Sequence, residues 1–119
     1  GKHSRLFTPP KAMSEAEIQE VIARFVITAK RAEEVGFDGV EIHAAHGYLV
    51  SQFLSPLTNI RTDQWGGELQ ARAKILYEII SQVKNSCSEQ FIVSVKLNSA
   101  DFQRGGFDVE DAIEVVKTL

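Results

Sequence analysis

The stretch VEIHAAHGYL, residues 40–49, gathers two imidazoles and a phenol: His43, His46 and Tyr48. They follow a β-branched run, Val40-Glu41-Ile42, and so stand at the mouth of a buried strand. If His43 ends that strand, its ring points up into the mouth. His46 and Tyr48 then lie on the turn beyond, and all three side chains can converge. Two neutral imidazoles can donate hydrogen bonds to one substrate oxygen and polarise a carbonyl or nitro group. A phenol beside them can deliver a proton. Spacing alone leaves two other readings open: hydrogen-bonded loop histidines with no chemistry, and a zinc site with His43 and His46 as two ligands. The segment has no third His or Cys for zinc, so Glu41 or Asp63 would have to serve.

A second run, FIVSVKLN, sends Phe91, Val93, Val95 and Leu97 one way and Ile92, Ser94, Lys96 and Asn98 the other. Lys96 thus stands on a polar face. It either meets an anionic or electron-rich partner there or pairs with Glu41 across the strands. Gly66-Gly67 lacks the GxGxxG and Walker patterns and is expected to form a tight turn, not a phosphate loop.

These residues need a frame. Ser14-Glu-Ala-Glu17 is a capping box, and apolar residues recur at helical spacing from Ile18 to Ala32 before Gly36 closes the helix. FDGVEIH is a strand. Residues 44–66 form a long connection with one or two helical turns at YLVSQFL. A second helix is predicted from about Glu68 to Val83, with Leu69, Ala73, Leu76, Ile80 and Val83 inward. FIVSVKL is the next strand. A third helix begins at Asp108 with Val109, Ala112, Ile113 and Val116 inward.

The order helix, strand, helix, strand, helix argues for parallel strands joined by right-handed crossovers. One apolar and one polar face per strand suits a barrel with helices outside and a site inside. From His43 to Ser94 there are 52 residues, more than the roughly 30 of a bare βα unit. The excess follows the first strand, on the face where such barrels keep their sites.

Composition bounds the reading. The 119 residues are 44% hydrophobic with a net charge of -3, which describes one globular α/β unit: a loop over residues 1–13, then βα units over 14–119. Mild acidity gives no footprint for nucleic acid, and no basic cluster or long apolar run suggests a membrane. Cys87 is the single cysteine, so no internal disulfide forms and a reducing cytoplasm is the expected compartment. The chain opens on a loop and stops within a predicted helix, as though cut from something longer.

The stretch GFDGVEIHAAHGYLVSQFLSPLTNIRTDQWGG, continued by VKLNSADFQRGGF, resembles the Old Yellow Enzyme family of FMN-dependent ene-reductases and NADH:flavin oxidoreductases. HxxHGYL, QFLSP, NxRxDxxGG and KLNSADF occur in the family's order. The resemblance implies a (β/α)8 TIM barrel with FMN at its C-terminal face, of which this chain supplies about the fourth and fifth strands. NAD(P)H is then the reductant and an activated alkene the small-molecule substrate. By position, His43 and His46 match the pair that binds the oxygen of the substrate's electron-withdrawing group. Tyr48 matches the proton donor to the α-carbon. Lys96 matches the basic residue at the flavin's pyrimidine edge, where a cation favours the reduced cofactor. Arg61 and Asp63 match a motif that orders the long loop.

The chain departs from the family where GGSxENRxR becomes GGELQARAK. Glu68 stands where a Ser would cap the helix, Gln70, Ala71 and Lys74 replace Glu, Asn and Arg, and Arg72 alone stays in register. Two alternatives accompany the ene-reductase reading: a truncated, non-catalytic fragment with at most an interaction role, and a metal-dependent barrel hydrolase using His43 and His46. Two parallel strands cannot close a barrel. The 119 residues alone are therefore expected neither to hold FMN nor to reduce enones, and a stable form would be a homo-oligomer or a partly ordered monomer.

Overall fold

Ser14 begins the first helix as its sequence requires. Its hydroxyl accepts from the Glu17 amide at 3.1 Å, and the Glu17 carboxylate accepts from the Ser14 amide at 3.1 Å. The computed structural model describes residues 12–101 and 103–119. The expected loop over 1–13 falls mostly outside the described residues, as does Phe102 of the KLNSADF motif. The elements are α1 (Glu15–Glu34), β1 (Gly39–Ala44), α2 (Leu49–Leu54), α3 (Leu69–Arg72), α4 (Lys74–Ser86), β2 (Ile92–Leu97) and α5 (Val109–Thr118). At the end of α1, Gly36 sits at φ 101°, where L-residues are strained. The Gly36 and Phe37 amides there donate back to Glu33 and Ala32, which occupies carbonyls the helix would otherwise leave open.

The two strands pair in parallel, with Glu41 opposite Ser94 and His43 opposite Lys96. Ile42 and Ala44 are buried, whereas Glu41, His43, Ser94 and Lys96 are exposed, so the two-faced strands are as expected. The core lies between the apolar strand face and α1 and α4, and includes Ile18, Ile22, Ile42, Ile75, Leu76 and Val83. No helix among the described residues is long and apolar enough to cross a membrane.

Two expectations are corrected, and one open alternative is decided. The second helix runs on to Ser86 and is interrupted at Ala73, where α3 gives way to α4. Its buried side includes Ile75 and Ile79, while Leu69 and Ile80 only flank the core. The apolar stripe is broad, and packing against both α1 and β2 centres it one residue earlier. In α5, Ala112 and Val115 are buried, but Val109, Ile113 and Val116 are 54%, 48% and 60% exposed. These three line an open groove beside Leu97 at the end of β2. Finally, Lys96 does not pair with Glu41, because the register sets it against His43 and gives Glu41 the Ser94 hydroxyl at 3.3 Å.

Glu68 occupies the N-cap of α3 in extended geometry (φ -65°, ψ 158°) without any side-chain cap bond. A serine there could bond the free amides of the first turn. Glu68→Ser is therefore expected to stabilise the folded protein by about 0.5–2 kcal/mol, the usual worth of an N-cap. Paired thermal melts check it, and an unchanged midpoint would mean that these amides need no protein partner.

Candidate active site

β1 delivers the His43 side chain on the exposed strand face, and Ala44 completes the strand. The chain then turns sharply. His46 has φ 59° and Gly47 φ 75°, two successive left-handed residues. For a non-glycine such as His46 this conformation costs on the order of 1–3 kcal/mol, so the surroundings must hold it. They do so at each peptide. The His46 amide donates to Asn98 Oδ1 at 3.1 Å, and the Gly47 amide to Ser51 Oγ at 3.3 Å. The Gly47 carbonyl accepts from Gln52 Nε2 at 2.8 Å, and the Tyr48 amide closes onto Ala45 at 3.3 Å.

The turn folds the three protic side chains together. The His43 and His46 ring centroids are 5.6 Å apart at 69°, and those of His43 and Tyr48 are 4.9 Å apart at 49°. All three residues are exposed, Tyr48 by 62%. A groove of about 690 Å³ opens beside His46, between the turn and the segment after β2, with Gln52, Ser55, Asn98 and Asp101 among its lining. Lys96 projects from the same sheet face and makes no ion pair or hydrogen bond among the described residues. The expected set of His43, His46, Tyr48 and Lys96 thus shares one face.

The long connection after the turn is braced by polar groups. Arg61 grips Asp63 through two bonds, Nε to Oδ1 at 3.0 Å and a second nitrogen to Oδ2 at 2.6 Å, and reaches the Met13 carbonyl at 2.7 Å. The Arg61 guanidinium holds the Asp63 carboxyl below its ordinary range. The stability this pair contributes is therefore present above the ordinary Asp pKa near 3.9 and lost as pH falls through the depressed value. Buried Asn59 donates to the carbonyls of Phe53 and Trp65. Gly66 packs so closely on Arg61 that a Cβ would lie 2.5 Å from its carbonyl oxygen. This is the expected tight turn. Trp65 is fully buried, its indole N–H donating to the Glu15 carboxylate.

Arg72 is buried and donates to the Leu54 carbonyl at 2.8 Å and the Gly67 carbonyl at 2.7 Å. Lys74 keeps a cation 4.8 Å from the centre of the Trp65 ring. Asp101 ties the loop after β2 to that after β1, accepting from the Ser55 hydroxyl at 2.7 Å and the Phe107 amide at 2.9 Å. Sequence reasoning assigned no task to Asn59, Trp65, Asn98 or Asp101. Period-two alternation did place Asn98 on the polar face, which was the one available signal. Among the described residues no group of three or more His, Cys, Asp or Glu is placed to hold a metal ion. The metal-hydrolase reading thus lacks its third ligand there.

The comparisons with known proteins define the class. A solved 2-naphthoyl-CoA reductase in complex with 2-naphthoyl-CoA superposes with a TM-score of 0.90 at 38% identity, covering 92% of this chain and 17% of that one. This sets the chain among mixed α/β oxidoreductases. Residues 2–119 match the NADH:flavin oxidoreductase / NADH oxidase family, and the chain belongs to it. FMN is the cofactor of that family and NADH or NADPH its reductant. The NADH-dependent flavin oxidoreductase nadA of Aspergillus parasiticus is 43% identical over 113 residues, 95% of this chain and 26% of the relative. An NADPH dehydrogenase of Listeria welshimeri is 47% identical over 110 residues, 92% of this chain and 32% of the relative. The chain thus spans about a third or less of these relatives' length.

Proposed function

We propose that the protein carrying this segment is an FMN-dependent NAD(P)H oxidoreductase that reduces activated alkenes. Residues 14–119 are then βα units of a (β/α)8 barrel, about the fourth and fifth. The observation that carries the reading is the convergence of His43, His46 and Tyr48 on the sheet face that also presents Lys96. The fit to the cofactor rests on Lys96. Its ammonium has no partner among the described residues, and Glu41, a carboxylate on the same strand face, accepts from Ser94.

Bound FMN would supply the hydride chemistry that links NAD(P)H oxidation to alkene reduction. The protein's own groups do the rest. His43 and His46 bind the oxygen of the substrate's electron-withdrawing group and stabilise the negative charge that develops on it. Tyr48 gives its phenolic proton to the α-carbon. Lys96 would hold the cofactor and place a positive charge beside it, which favours its reduced form. Arg61, Asp63, Asn59 and Arg72 hold the loop that carries the turn and touch no reacting atom.

An anaerobic titration of the FMN-loaded protein tests this. NADH or NADPH should bleach the flavin absorbance, and an enone should restore it. Lys96→Met should lower the flavin's reduction potential and weaken FMN binding, because a cation near the site of added negative charge is lost. Bleaching without recovery by any enone would sink the ene-reductase reading, and an unshifted potential would remove Lys96 from the cofactor site.

A further inference from the structure

The turn that presents His46 is held from two directions, and they differ in kind. Ser51 and Gln52, which bond the Gly47 peptide, belong to α2, the next element along the same chain segment. They shape the turn but cannot place it relative to the second strand. The His46 amide bonds Asn98, 52 residues away and just past the end of β2. Asn98 follows Lys96 by two residues and so belongs to the same polar face.

The geometry assigns Asn98 as a positioning residue that sets His46 against the cofactor side of the site. This rests on the function proposed above and deepens it. His46 is the one non-glycine with positive φ among the described residues. Left to itself it would relax toward negative φ and swing its ring away from His43. A side-chain oxygen on β2 opposes that relaxation and ties the imidazole pair to the strand carrying Lys96. Asn98 acts on no reacting atom. It works through the His46 backbone, so its removal should degrade what the imidazole pair binds and leave the cofactor alone. The Asp101–Ser55 bond joins the same two loops farther out. It keeps the loops adjacent when Asn98 is replaced, so the effect should be confined to the turn.

The test uses the complete FMN-loaded protein and phenol as the probe, since a phenolate oxygen is a ligand for two imidazole donors. Phenol affinity is read from the long-wavelength charge-transfer band with flavin. Asn98→Ala is expected to weaken binding about tenfold, which corresponds to about 1.4 kcal/mol, with an unchanged flavin potential. Asn98→Asp keeps an acceptor oxygen for the His46 amide and should recover most of the affinity. Amide exchange at His46 should quicken in Asn98→Ala and not in Asn98→Asp. Wild-type affinity in Asn98→Ala, beside lost binding in His43→Ala/His46→Ala, overturns the role of Asn98 and leaves the imidazole pair standing. Unchanged binding in all variants overturns both. A loss that Asn98→Asp does not recover, with a shifted potential, also overturns it, because the effect then runs through the cofactor.

Discussion

Tyr48→Phe is expected to slow reoxidation of the reduced enzyme by an enone roughly 10²–10⁴-fold, the usual worth of a positioned general acid. Reduction of the flavin by nicotinamide should be unaffected. The phenol sits 4.9 Å, ring to ring, from His43 and is 62% exposed on the site face, so the variant removes one oxygen and disturbs no packing. In the proposed reaction the proton is needed only when the alkene's α-carbon takes up charge, which confines the expected effect to the second half-reaction. Stopped-flow measurement of the two half-reactions separates them. Equal slowing of both would mean that Tyr48 contributes to binding or to the turn, not to proton transfer.

The second large effect concerns the imidazoles. His43→Ala with His46→Ala should abolish phenol binding, seen as loss of the charge-transfer band across the accessible concentration range. Each ring offers one donor, and the 5.6 Å between ring centroids leaves room for both to address a single oxygen. Hydrogen bonds to a charged acceptor contribute about 1.5–3 kcal/mol each. Losing two is on the order of 10²–10⁴-fold in affinity. The single variants should each retain part of it, and a band that survives in the double variant would falsify the shared oxyanion role.

Local signals in the sequence survived best. The Ser14–Glu17 box, the Gly36 cap and the period-two strands depend on neighbours a few residues away, and each forms as read. The protic cluster was legible too, since a strand end followed by a short turn leaves three nearby side chains little room to separate. What the sequence hid was set by partners far along the chain. Nothing near Asn98 announces that it will meet the His46 amide, and nothing near Asp101 announces Ser55. Helix faces failed for a related reason: α4 and α5 each carry an apolar stripe wide enough to be buried in more than one way. The neighbours available decided that Ile79 and Val115 went inside while Val116 stayed out. The Lys96–Glu41 pair, one of two readings left open, failed by two residues of register, because His43 and not Glu41 lies opposite Lys96. A period-two pattern reports which face a residue takes, not which residue lies opposite it.

The left-handed backbone at His46 has a consequence for anyone evolving the protein that carries this segment. Glycine adopts that conformation freely, whereas a side chain is strained in it. A library sorted only for heat tolerance should enrich Gly at position 46 and return robust proteins that lack one of the two proposed oxygen-binding donors. Selection for turnover pulls the other way. Position 46 is where the two screens should disagree most sharply, so a thermostabilised variant ought to be built with His46 locked before any other residue is randomised.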